Sequence, residues 1–233
     1  MPSDVTPRLL RPRDFHAEAA AFILAEIRAA IAARGFCRLA LSGGRTPRAV
    51  HAELVKQAGA LPWERVQITF GDERCVPPDD AESNYRMARE SLLDPAGIPA
   101  GNVFRIRGEI APEEAAREYE ARLAAVAARL GESRYVHDLL LLGLGEDGHT
   151  ASLFPGSPAL AETARNVIPA TGPKPPPQRV TMTFPLINAA RHVAFLVAGA
   201  EKLPLVEAIL AGGSALPAAQ VRPAKGALTW IAG

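Results

Sequence analysis

Asp147 and His149 stand one residue apart in the run Gly143-Leu144-Gly145-Glu146-Asp147-Gly148-His149. An imidazole beside a carboxylate can take and return a proton near neutral pH. The run follows Leu139–Leu142, an apolar stretch of the length expected for a strand buried on both faces. Gly143, Gly145 and Gly148 then turn the chain. A polar pair at the C-terminal end of a buried strand lies where open α/β sheets hold their ligands. A surface turn capped by Asp147, with His149 facing solvent, would use the same residues without chemistry. The strand, the glycines and the neighbouring carboxylate together favour a site.

A second group could bind an anion. Ser42-Gly43-Gly44-Arg45-Thr46 joins a short apolar strand to a helix. Glycines let backbone N–H groups converge, and the positive end of a helix favours a phosphate. Thr46 before Pro47 is expected to cap that helix, with the proline at its first position. Arg179 at the start of a strand and Lys202 at the start of a helix are further cations at strand ends. Asp72-Glu73-Arg74 closes another strand, either as a surface ion pair or as a ligand contact. Gly143 to Gly148 formally matches the dinucleotide pattern GxGxxG. That fingerprint should open a long helix and be followed by an acidic strand end. Here Pro155 and Gly156 interrupt it, and a proline-rich stretch comes next.

The elements that would position these groups alternate. A helix capped by Asp14 is expected to run to Arg34, with Phe15, Ala19, Phe22, Ile23, Ile27 and Ile31 at helical spacing. Strands are expected over Cys37–Leu41, Val66–Phe70, Leu139–Leu142, 179–184, 192–198 and 228–231, with a short one over 103–106. Helices are expected over 46–58, 83–93, 112–130 and 201–211. In the fourth of these five helices, Glu113/Arg117 and Glu118/Arg122 are expected i,i+4 pairs. Residues 165–178, with six residues of proline or glycine type, read as a stiff loop. Strands alternating with helices and ending in glycine turns predict a doubly wound, mostly parallel sheet. At 233 residues and 48% hydrophobic, one domain over 1–233 is the simplest count.

The formal net charge of +1 gives no bulk attraction to nucleic acid or an anionic membrane. Two cysteines, Cys37 and Cys75, form no metal-binding spacing and suit a reducing compartment. Residues 1–13 carry no apolar leader, and no run approaches the ~18 residues needed to span a bilayer. A soluble cytoplasmic protein is expected.

Five motifs then occur in order: Leu41-Ser42-Gly43-Gly44-Arg45-Thr46-Pro47; Gly71-Asp72-Glu73-Arg74 with Val76-Pro77 and Ser83-Asn84-Tyr85; Gly143 through His149 to Gly156; Arg179-Val180-Thr181-Met182-Thr183; and Gly199-Ala200-Glu201-Lys202. Together they resemble the 6-phosphogluconolactonase family. The resemblance implies a three-layer α/β/α, Rossmann-like fold shared with glucosamine-6-phosphate deaminase. It implies hydrolysis of 6-phospho-D-glucono-1,5-lactone in the oxidative pentose phosphate pathway, with no cofactor and no metal. A lactone is an activated ester, so a held and deprotonated water suffices. His149 is then the general base, and Asp147 orients it or a sugar hydroxyl. Arg74 or backbone N–H groups of the glycine turns would stabilise the oxyanion. Ser42, Gly43, Gly44, Arg45, Thr46, Asp72, Arg179 and Lys202 would hold the sugar phosphate. Deaminases carry a catalytic Glu where this chain has Phe154, which separates the two activities of the fold. A non-catalytic sugar-phosphate sensor is the alternative of another class, and the retained Asp147 and His149 speak against it.

Overall fold

The computed structural model describes residues 5–233; residues 1–4, part of the stretch expected to lack a leader, lie outside the described residues. The chain runs β1 (Arg8–Leu10), α1 (Phe15–Arg34), β2 (Cys37–Leu41), α2 (Arg45–Gln57), β3 (Val66–Phe70), β4 (Asp72–Arg74) and α3 (Asn84–Ala88). It continues with α4 (Pro112–Arg129), β5 (Leu139–Leu142), β6 (Val167–Thr171), β7 (Gln178–Met182), α5 (Phe184–Ile187), β8 (His192–Val197), α6 (Leu203–Leu210) and β9 (Ala227–Ala232).

Helix α1 begins where Asp14 accepts the Ala17 N–H, while Glu18 accepts the N–H groups of Arg13 and Asp14. These bonds satisfy donors that a helix start leaves free. Gly35 ends the helix at φ 82°, a left-handed position that glycine occupies without strain. Ala19, Ala20, Ile23, Leu24 and Ile27 form its buried stripe. Phe15, Phe22 and Ile31 sit at the edge of that stripe, packed on the core but only half-buried.

Six strands make one parallel sheet in the order β1-β9-β8-β5-β2-β3. All residues of β2 and β5 are buried, as strands covered on both faces must be. From β2 the chain moves outward to β3, and later strands build on the other side through β5. The order therefore reverses between β2 and β5. The loops after these two strands, 42–46 and 143–149, open on the same crevice, the usual ligand position of such sheets. The doubly wound sheet read from the sequence is present, flanked by helices.

A second, antiparallel sheet, β4-β7-β6, was not expected. Asp72, Glu73 and Arg74, expected to close the strand before them, form a strand of this second sheet. Val167–Thr171, read as part of a proline loop, is its edge strand. Pro169 is tolerated there because an edge strand leaves one row of backbone groups unpaired. Helix α4 packs against β6 and β7. Its expected i,i+4 pairs do not form. Glu113 pairs with Arg165 at 2.9 Å and Glu118 with Arg107 at 3.2 Å, because the neighbouring chain offers arginines on that face. The expected strand over 103–106 is a single bridge from Val103 to Ile68. The helix expected over 83–93 changes from α to π winding at Arg89.

Candidate functional site

Strand β5 delivers the loop that carries Asp147 and His149. The Asp147 carboxylate accepts from His149 twice, from the ring Nδ1 at 2.5 Å and from the backbone N–H at 3.1 Å. Burial pushes the Asp147 carboxyl up, but the hydrogen bonds from His149 outweigh it and hold it below its ordinary value. An ionised carboxylate only accepts, so Nδ1 carries a proton, and in the neutral ring the lone pair is on Nε2. Gly145 makes this possible. A Cβ there would lie 2.0 Å from His149 Nδ1 and 2.7 Å from Asp147 Oδ1. The ring of Phe154 packs on His149, with centroids 4.6 Å apart.

Strand β2 delivers the loop 42–46. Helix α2 starts at Arg45 with Gly44 in the cap position and no side-chain cap. Thr46 is therefore not the cap expected from the sequence. It lies inside the first turn, because Gly44, at φ 106°, lets the chain enter the helix two residues earlier. The uncapped N–H groups of this 13-residue helix stay available to an anion. The buried Ser42 hydroxyl has no partner among the described residues.

Strand β4 supplies Asp72 and Arg74, and period-two alternation turns both toward the crevice. Asp72 is held on two sides. Ser152 Oγ donates to Oδ2 at 2.6 Å, and Asn84 Nδ2 donates to Oδ1 at 3.3 Å and to the main-chain oxygen at 3.0 Å. Arg74 lies directly across the antiparallel pair from Arg179. Like charges placed so disfavour each other. Burial, and then the Arg74 charge, lower the pKa of Arg179. Arg74 donates to the Glu82 carbonyl at 2.7 Å and to its carboxylate at 3.3 Å. Both Arg74 and Arg179 keep a buried, unpartnered Nε. An anion between them would relieve the repulsion and use those donors. Lys202, at the end of a 3₁₀ turn before α6, donates to the Leu144 carbonyl at 2.9 Å.

These groups line two adjoining cavities. One, of about 560 Å³, includes residues 42–46, Asp72, Arg74, Asn84, His149 and Lys202. The other, of about 420 Å³, shares Asp72, Arg74, His149 and Lys202 and adds Asp147, Phe154, Lys174 and Arg179. Apart from Glu73, which lines neither cavity, every site residue singled out from the sequence thus borders this one region, although Arg179 and the 42–46 loop lie in different halves of it. Asn84 and Ser152 were missed as site residues. Both lie inside the quoted motifs, but only the packing shows that they clamp Asp72. Among the described residues, no three His, Cys, Asp or Glu side chains are grouped as metal ligands would be.

Fold and crevice define a doubly wound α/β protein with a cation-lined site and an Asp–His pair at its switch point. The family described as glucosamine-6-phosphate isomerases/6-phosphogluconolactonase matches residues 11–230, and the chain belongs to it. It is 43% identical to a Synechocystis 6-phosphogluconolactonase over 213 residues, covering 90% of this chain and 87% of that one. It is 44% identical to the human 6-phosphogluconolactonase, covering 85% and 79%. The solved 6-phosphogluconolactonase of Trypanosoma brucei superposes with a TM-score of 0.85 at 33% identity, covering 98% and 97%. That of Thermotoga maritima superposes at 0.84 with 29% identity, covering 97% and 100%.

Proposed function

We propose that this chain hydrolyses 6-phospho-D-glucono-1,5-lactone to 6-phospho-D-gluconate, as a single-domain cytoplasmic enzyme of the oxidative pentose phosphate pathway. Family membership and the relatives' names support the activity. The observation that carries the mechanism is the free Nε2 of His149, left so by the bond from Nδ1 to Asp147. A water held at Nε2 loses a proton to the ring as its oxygen bonds to C1. The carbonyl becomes a tetrahedral oxyanion, stabilised by Arg74 or by N–H groups of the glycine turns. Collapse breaks the bond from C1 to the ring oxygen, and the imidazolium returns its proton to that oxygen. The phosphate lies far from C1. Binding it at residues 42–46, Lys202 and Arg179 uses non-reacting contacts to place C1 over His149, while Asp72 meets a sugar hydroxyl.

Phe154 argues against the deaminase reaction of the same fold. Ring opening, proton movement between C1 and C2, and loss of ammonia call for a His tuned by an acid. An apolar ring packs on His149 instead. The test is one protein with two substrates, following acid release from fresh lactone and ammonia release from glucosamine 6-phosphate. Lactone hydrolysis well above the spontaneous rate, without ammonia, is expected. Ammonia release at a comparable rate, or a lactone rate equal to buffer, would sink the assignment.

A further inference from the structure

Glu73 lies between Asp72 and Arg74, and the alternation of β4 sends its side chain away from the cavities that its neighbours line. It is only 2% exposed. Its carboxylate meets four donors. Oε1 accepts the N–H of Arg74 at 2.8 Å and of Asn84 at 2.7 Å. Oε2 accepts the N–H of Tyr85 at 2.8 Å and the hydroxyl of Ser83 at 3.2 Å. Two of the four are backbone groups at the start of α3, where a negative charge is favoured. The residue so fixed is Asn84. Its amide donates to Asp72, and its Oδ1 lies where a Cβ on Gly43 would come within 1.9 Å. One buried carboxylate therefore stands behind a side chain that touches both Asp72 and the glycine loop. Neither the lactone chemistry nor the phosphate contacts use it.

We propose that Glu73 is a positioning residue: by binding the start of α3 it holds Asn84 as a spacer between Asp72 and the 42–46 loop. The phosphate end and the reacting end of the pocket are thereby kept at one separation. The spacer works because Asn84 is itself almost fully buried and Gly43 has no side chain, so neither can yield without moving backbone. The kinetic part of this inference rests on the lactone-hydrolase reading above; the structural part does not.

Glu73→Gln tests it with little change of shape. Each carboxylate oxygen accepts two donors, so an amide NH₂ at either place faces two donors and bonds neither. Expected are faster hydrogen–deuterium exchange in 42–46 and 72–74 of the ligand-free protein, and a rise in KM. Loss of 6-phosphogluconate affinity by about tenfold should accompany it, since small misplacements of positioning groups are costly. The effect should fall more on KM than on kcat, because the loop is remote from the carbonyl. Asn84→Ala should behave alike, and Glu73→Gln/Asn84→Ala should be no worse in KM than Asn84→Ala alone, the mark of two residues acting in series. A Glu73→Gln protein of lowered melting temperature but unchanged KM and unchanged 42–46 exchange would overturn the proposal. Multiplying losses in the double variant would also overturn it. Should Glu73→Gln not fold, a wild-type KM in Asn84→Ala would do so by itself. A wild-type protein inactive on lactone would remove the functional reading, while the exchange comparison would still decide the role of Glu73.

Discussion

His149 gives its Nδ1 proton to a bond with Asp147 and so offers Nε2 to water. His149→Ala should lower kcat by about 10²-fold or more with 6-phosphogluconate binding largely kept, because a positioned base contributes about 10²–10⁴-fold. Asp147→Asn should cost less, since an amide oxygen can still accept from Nδ1 but without charge. A His149→Ala rate within a few-fold of wild type, corrected for spontaneous hydrolysis, would remove the residue from the base role. Lys202→Ala and Arg179→Ala should mainly raise KM and weaken product inhibition, with only a weak dependence on salt, because Arg179 is buried and Lys202 half-buried. Product bound as tightly as by wild type in both variants would move the phosphate elsewhere. The Asp–His pair was legible in the sequence because three glycines and a buried strand mark the spot. Asn84 and Ser152 were not. Their role is to touch Asp72 from two distant segments, and no local pattern encodes such contact.

Strand β5 was readable to the residue because a doubly covered strand must be continuously apolar. Strands β2 and β3 were readable because short, mainly apolar runs stop at a glycine turn, although Arg38, Gln67 and Thr69 interrupt them. Helix α1 was readable because it carries both of its caps. The small sheet was hidden for three reasons. Strand β4 is three residues long and polar, β6 contains Pro169, and their partnership through β7 spans about a hundred residues of chain. Thr46 misled because a hydroxyl before proline is a good cap by type, yet Gly44 already satisfies the geometry. The junction of β2 and α2 offers a test at this scale. Gly43→Ala puts a Cβ against the amide of Asn84, which is anchored by Asp72. Overpacking of this kind costs about 1–3 kcal/mol. A fall in the urea midpoint is expected for Gly43→Ala, and Gly43→Ala/Asn84→Ala should recover part of it. Equal destabilisation with and without Asn84 would place the clash elsewhere.

Across the whole molecule, two buried histidines tie stability to pH. His51 and His137 are fully enclosed. Burial lowers His51 to about 4; burial and then the Arg38 charge lower His137 to about 3. Depressed values mean that the unfolded chain takes up these protons first. Their contribution is complete above the ordinary value of 6.5 and is lost as pH falls toward 4 and 3. The two histidines predict a decline in the urea midpoint from pH 6.5 to 4, and a shallower one in His51→Gln. An unchanged slope in that variant would exclude His51 as a source. The passage of the chain from one sheet to the other has a different consequence. Gly71 is the step between them, its N–H bonded to Leu41 and its carbonyl to Met182. Immediately beyond it, odd and even positions carry opposite duties: Asp72 and Arg74 border the crevice while Glu73 faces helix α3. Adding a single residue there would exchange the duties, sending Glu73 into the crevice and the other two behind it. Chain length is thus locked in parity from 70 to 75, while the turns over 77–81 carry no such constraint. One alanine inserted after Gly71 should abolish turnover in a protein that still folds; one inserted after Pro78 should leave it nearly intact.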